Sequence, residues 1–300
     1  MSLTIHNLIK TFNDTTAVDQ LSFTIEKGQI FGMLGANGAG KTTSFRMMLG
    51  LLDPTEGYAH WNGSPLSYKR TQLVGYLPEE RGLFPKLTVK EQMIYLMRLK
   101  QMNKSAIVDE LRSWLDRFQI QEYENKRVEE LSKGNQQKIQ FMASVLHKPE
   151  LLILDEPFSG LDPVNADMLK EAVLDLQKNG TTIVFSSHQM HNVEELCDEV
   201  VMLKHGKALL QGDLKDIKQN YGLKSITIEA DYSLDFLDEM TGIEQITETK
   251  LETTVVVDGE ETAKRIFSEI TARGYVRKFT VNDPSLHEIF IDQMGGDRHA

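Results

Sequence analysis

The chain has 300 residues, 40% of them hydrophobic, ample for one large or two modest domains with their own cores. Its longest nearly apolar runs, at 45–52 and 151–154, fall far short of the roughly 18 residues a membrane-spanning helix needs, and residues 1–10 offer no apolar signal core. A net charge of −11, with 8 basic against 16 acidic side chains in residues 221–300, argues against broad nucleic-acid binding and a polybasic lipid anchor; the lone Cys197 excludes an internal disulfide.

In chain order, residues 2–9 and 17–26 read as strands with a turn at Asn13-Asp14. Phe12 stands at that turn, either as an edge-packing ring or as a plate under an adenine base. An apolar run at 30–34 leads into Gly35, Ala36, Asn37, Gly38, Ala39, Gly40, Lys41 and Thr42, then into a helix expected from Lys41 to residue 51 or 52. This is G-x-x-x-x-G-K-[ST] in the strand–loop–helix setting that gives the pattern its meaning. Glycines let backbone N–H groups turn inward around phosphate oxygens, and the helix start at Lys41, Thr42 and Thr43 adds its positive dipole there. Lys41 would reach the β- and γ-phosphates, and the Thr42 hydroxyl would hold Mg²⁺. The pattern predicts a nucleoside triphosphate as ligand.

Residues 57–63 suggest a short hairpin, and 75–78 a strand running into a loop, 79–85, that carries Leu83 and Phe84. Residues 88–148 read as helical, with Met93, Leu96 and Leu99 recurring at helical spacing, as do Leu111, Leu115 and Phe118. After Leu131-Ser132-Lys133-Gly134-Asn135 a further helix begins, with Ser132 as N-cap and Ile139, Met142, Val145 and Leu146 on one face.

Residues 151–154 form an apolar strand that delivers Asp155 and Glu156 to its C-terminal edge, a costly placement unless the carboxylates meet a cation. Asp155 would hold the Mg²⁺ carried by the nucleotide, and Glu156 would polarise an attacking water. Asp162 then caps a helix with Pro163 at its first position, Gly180 ends it, and residues 181–186 form the next buried strand. His188 follows at the edge where α/β sheets bind ligands; taken alone it is equally a structural or a catalytic residue. His191 and Glu194 have metal-like spacing but read as solvated, and Cys197 reads as a small core residue beside Met190 and Val193. A strand at 200–203 completes a nucleotide-binding unit that closes near residue 220. Beyond it, strands at 224–229, 244–249, 253–257 and 276–281 alternate with helices at 234–240 and 261–273 in the order β-α-β-β-α-β, with a closing helix at 284–294.

In this order the pieces resemble the ATP-binding subunit of ABC transporters. The phosphate loop matches at 35–42, the signature at 131–135, the Walker B strand at 151–156, the D-loop at 159–163 and the switch histidine at His188, over residues 2–215 in all. The resemblance implies an α/β fold, a P-loop ABC ATPase core in residues 1–220 with an α-helical subdomain at about 86–150, followed by a small α+β, ferredoxin-like extension at 221–300. It implies ATP hydrolysis with ATP and Mg²⁺ bound: Phe12 stacks on adenine, Glu156 is the general base and His188 contacts the γ-phosphate. It also implies an ATP-bound homodimer in which Ser132, Gly134 and Asn135 of one copy cover the nucleotide on the other. Two motifs depart from the family pattern. Lys133 and Asn135 replace a Gly and the Gln of Leu-Ser-Gly-Gly-Gln, and Glu79 stands where a glutamine contacts Mg²⁺ and senses the membrane partner. Both departures resemble a branch that serves ABC-2-type exporters, sodium-efflux-like and drug-efflux-like members included, which carry similar C-terminal extensions. The implied partners are integral-membrane permease subunits, as separate chains, with Leu83, Phe84 and residues 88–100 as the docking groove. The implied location is cytoplasmic, peripheral on the inner face of the cell membrane, with no nucleic-acid partner. The alternative is a non-transport ABC ATPase acting in regulation, translation or repair. Such factors carry long coiled-coil insertions, a second ATPase copy or basic faces, features this sequence does not display.

Overall fold

The computed structural model describes residues 2–66, 72–80, 82–249 and 251–295; position 81 of the expected loop and the last five residues of the expected extension lie outside them. The backbone clusters into two compact units, Met1–Gln211 and Gly212–Ala300. The division comes earlier than the expected one near 220, because the helix Leu214–Asn220 groups with the second unit.

The first unit runs β1 (Ser2–Phe12), β2 (Thr15–Glu26), β3 (Ile30–Leu34), α1 (Lys41–Met48), β4 (Glu56–Trp61), β5 (Ser64–Pro65), β6 (Val74–Leu77), α2 (Val89–Leu99), α3 (Lys104–Arg117), α4 (Lys133–Val145), β7 (Leu151–Asp155), α5 (Pro163–Lys178), β8 (Thr182–Ser187), α6 (Met190–Leu196), β9 (Glu199–Lys204) and β10 (Lys207–Asp213). Strands β2-β1-β4-β5 form one sheet, antiparallel throughout, and β10-β9-β3-β8-β7-β6 form another whose core pairs are parallel. Strands β3, β7 and β8 are buried at every residue, which is why their sequences are continuous apolar runs rather than alternating ones. Side chains of β1 and β2, of α1, and of β3, β7, β8 and β9 share one buried cluster, so α1 is wedged between the two sheets.

Several boundaries differ from expectation. Phe12 ends β1 and pairs with Thr15, so it closes a strand rather than sitting in the turn. Residues 57–63 are not a hairpin by themselves: Glu56–Trp61 pairs with β1, burying Trp61, and the reversal falls at Asn62-Gly63 ahead of β5. Helix α1 stops at Met48, short of 51, because Gly50 turns left-handed (φ 67°) and the Leu51 N–H closes on the Arg46 carbonyl at 2.8 Å. The buried stripe of α2 is Val89, Gln92, Met93 and Met97, which leaves Leu99 64% exposed, contrary to the expected row through Leu96 and Leu99. Helices α3 and α4 keep their expected faces, and Ser132 caps α4 by accepting from the Asn135 N–H at 3.3 Å. Where α4 crosses β6 the approach is close enough to require Gly75, since a Cβ there would stand 2.1 Å from the Ser144 carbonyl oxygen.

The second unit contains α7 (Leu214–Asn220), β11 (Lys224–Ala230), β12 (Ile243–Glu248), β13 (Thr253–Val257), α8 (Glu260–Arg273), β14 (Val276–Asn282) and α9 (Leu286–Gly295). Its sheet, β12-β13-β11-β14, is antiparallel at each pairing, the split β-α-β arrangement of a ferredoxin-like sandwich. Ile226, Ile228, Val255 and Val257 pack beneath Ala263, Ile266 and Ile270 of α8. The helix expected at 234–240 is only a 3-10 turn, Asp235–Glu239, because three of its five residues are acidic and Leu237 alone is buried. No helix among the described residues is long and apolar enough to cross a membrane.

Candidate nucleotide-binding site

Helix α1 starts at Gly40, in the left-handed region (φ 107°), with no side-chain cap and no acidic residue in its first turn. Its leading N–H groups are therefore free for an external anion. A Cβ on Gly40 would lie 2.5 Å from the Ala17 carbonyl, and one on Gly35 would lie 2.7 Å from that of Leu203. Only glycine passes at those two points. The loop borders a cleft of about 340 Å³ lined by Ala17, Asn37, Gly38, Ala39, Gly40, Lys41, Thr42, Thr43, Glu79 and Glu156. The Lys41 ammonium is buried and donates to the Gly35 carbonyl at 2.7 Å and to that of Ala36 at 3.2 Å, with Glu156 Oε1 3.8 Å away.

Parallel pairing brings the carboxylates to the same edge. Asp155 stands opposite Ser186, whose hydroxyl donates to Asp155 Oδ1 at 2.5 Å and accepts from the Glu156 N–H at 3.0 Å. The Thr42 hydroxyl donates to Asp155 Oδ2 at 2.8 Å, tying α1 to β7. Glu156 itself takes a left-handed backbone (φ 51°), uncommon for a residue with a side chain, and this turns its carboxylate off the strand. Its Oε2 lies 2.9 Å from His188 Nδ1, while Oε1 is buried without a hydrogen-bond partner. Burial pushes the Glu156 carboxyl above the usual range, opposed by His188 and Lys41. Burial together with the negative charge of Asp155 also pushes the Tyr76 phenol up to about 12.

An orphaned buried carboxylate oxygen, an acceptor pair on Asp155, and Glu79 on the cleft wall form a donor set of hard oxygens that suits Mg²⁺.

The structure thus gathers Gly35 through Thr43, Asp155, Glu156, His188 and Glu79 in one neighbourhood. Gly35, Ala36, Asp155 and His188 bond to side chains of the cleft lining, whereas Phe12, Ser132, Gly134 and Asn135 lie outside it. Phe12 is 46% exposed, with the Lys10 ammonium 5.2 Å over its ring. Gly134 lies beside Leu161 and Asn165, and the Asn135 amide reaches the Tyr123 hydroxyl at 3.3 Å. His191 is exposed as expected and stands 3.5 Å from Glu195, whereas Glu194 is half-buried, and Cys197 is a buried free thiol. Ser186 and the buried Gln92, Gln137 and Gln140 escaped the sequence reading. The register of β7 against β8 could have pointed to Ser186, but the glutamines gave no signal.

A strand, a glycine loop, an uncapped helix start and a neighbouring strand ending in two carboxylates define a P-loop nucleotide-binding protein. A family profile described as ABC transporter matches residues 18–159, and one described as ATP-binding protein DrrA1-3-like, C-terminal domain, matches residues 212–294. The chain is 55% identical to the uncharacterized ABC transporter ATP-binding protein YhaQ of Bacillus subtilis, covering 98% of both chains. It is 59% identical to the uncharacterized ABC transporter ATP-binding protein BpOF4_11395 of Alkalihalophilus pseudofirmus, over 88% of this chain and 98% of the other. A solved ATP-binding subunit of an ABC transporter superposes with a TM-score of 0.69 at 28% identity, over 74% of this chain and 94% of its own. The chain belongs to the ABC transporter ATP-binding proteins. It is an ATPase subunit that binds ATP and powers a transporter.

Proposed function

We propose that the chain hydrolyses Mg-ATP in the cleft between the phosphate loop and the end of β7, and drives separate membrane permease chains of an ABC-2-type exporter from the inner face of the cell membrane. The observation that carries this is the pose of Glu156: one carboxylate oxygen on His188, the other unpartnered beside Lys41 and the loop. In that pose Glu156 takes a proton from an attacking water. Lys41 leaves its loop carbonyls to meet the β- and γ-phosphates, and the N–H groups of residues 36–43 cradle them. Thr42, Asp155 and Glu79 would hold Mg²⁺, which would supply positive charge beside the phosphates. His188 orients Glu156 and meets the γ-phosphate, and Phe12, exposed at the end of β1, stacks on the adenine.

The cleft is partly open, and the exposed Ser132 with Gly134 and Asn135 stands outside its lining. A second copy supplies those residues, so ATP joins two chains and its hydrolysis releases them. The exporter assignment rests on the DrrA1-3-like extension, on Lys133 and Asn135 in the signature, and on Glu79. Glu156→Gln is expected to slow hydrolysis about 10²-fold or more and to trap an Mg-ATP-bound dimer visible by light scattering. A variant that stays monomeric with Mg-ATP at all protein concentrations contradicts the two-chain reading.

A further inference from the structure

Two buried glutamines grip the chain segment that carries Glu79. On α4, Gln140 Nε2 donates to the Pro78 carbonyl at 3.0 Å and to the Glu80 carbonyl at 3.2 Å, one on each side of Glu79. On α2, Gln92 Oε1 accepts from the Phe84 N–H at 2.6 Å at the far end of the same segment. These partners fix both amide orientations, since a reversed Gln140 would set its oxygen against two carbonyls and a reversed Gln92 would set its NH₂ against an N–H. Each side chain then keeps one buried atom without a partner, Gln140 Oε1 and Gln92 Nε2. An unpaired buried polar atom is destabilising, so each amide gives back part of what its backbone bonds contribute. Their net effect on stability is therefore small, and what the bonds fix is the position of the segment that carries Glu79.

Helix α4 extends the connection. Gln137 Nε2 donates to the Pro157 carbonyl at 3.0 Å, directly after Glu156, and Ser132 caps the helix at the signature. The side chains of one helix thus reach the Glu79 segment, the turn after Glu156 and the face offered to the second copy.

We infer that Gln140, assisted by Gln92, is a positioning residue that sets Glu79 at the metal side of the cleft and keeps it in step with α4. This rests on the reading of the cleft as an Mg-ATPase site and concerns how that site is regulated. The test uses the purified full-length chain and four variants, Gln140→Met, Gln92→Met, Glu79→Ala and Glu79→Ala/Gln140→Met. Thermal melts and ATPase rates are measured against Mg²⁺ and ATP concentration. Gln140→Met is expected to lower the melting temperature only slightly while lifting the half-saturating Mg²⁺ concentration about tenfold. The KM for ATP at saturating Mg²⁺ should move far less, and Gln92→Met should shift Mg²⁺ dependence in the same direction. The double variant should match Glu79→Ala alone, because both changes remove one function. Effects that add, or an Mg²⁺ dependence that Gln140→Met and Gln92→Met leave in place, overturn the inference. Wild-type turnover that Lys41→Ala abolishes keeps the ATPase reading separate from this result, and its absence would sink that reading instead.

Discussion

Glu156 and His147 illustrate two ways in which a buried titratable side chain is held. Glu156 is strained at the backbone, pushed up by burial, and only half satisfied, which suits a proton acceptor. His147 is structural. Its Nε2 meets the Val74 carbonyl at 2.9 Å and its Nδ1 is buried without a partner, so the neutral ring is favoured. Burial, then the nearby Lys100 ammonium, lower its pKa from 6.5 to about 4. Below pH 6.5 the unfolded chain takes up a proton that the folded ring refuses until about pH 4. Stability from this group is therefore complete above 6.5 and falls as the pH drops through that window, by at most about 3 kcal/mol. His147→Gln keeps a donor for Val74 without the titration. Urea melts at pH 7.5 and pH 5 should show a smaller pH-dependent loss for that variant than for the wild type.

At the scale of elements, α4 and its seat on β6 carry the most consequence. The Ser144 carbonyl fills the space a side chain at position 75 would need, and a backbone atom cannot rotate away. Gly75→Ala is expected to cost about 3 kcal/mol or more, read as a lowered denaturation midpoint. Because α4 also carries Gln137 and Gln140, activity should fall beyond what the unfolded fraction accounts for. Helix α2 shows a different economy: Phe84 meets Tyr95 edge to face at 5.7 Å, and both rings stay about half exposed with Leu99 nearby in sequence. That exposed apolar row, rather than the half-buried Leu83, is the stronger part of the proposed permease-facing surface.

For the whole molecule, the two units have separate cores, and the gathered cleft residues all belong to the first. Removing residues 222–300 is expected to leave basal ATPase turnover within about twofold, because no cleft side chain is lost and β10 is kept whole. Assembly with the permease and transport in cells are the measurements that decide whether the ferredoxin-like extension regulates the motor. If both persist unchanged after the deletion, the extension is a stabilising appendage.

The phosphate loop, the apolar strand ending in Asp155-Glu156, the Ser132 cap and the four strands and second helix of the extension were all legible in the linear chain. Each is local: glycine freedom, a capping hydroxyl, and hydrophobic period act within a few residues of one another. What the chain could not disclose was long-range. The Ser186 hydroxyl on Asp155, the left-handed turn of Glu156 onto His188, and the grip of Gln92 and Gln140 on the Glu79 segment come from strand register and helix packing across 8 to 62 positions. Local pattern determined that a triphosphate site exists here; only tertiary packing decided which oxygens are satisfied, which are left free, and hence where the chemistry can happen.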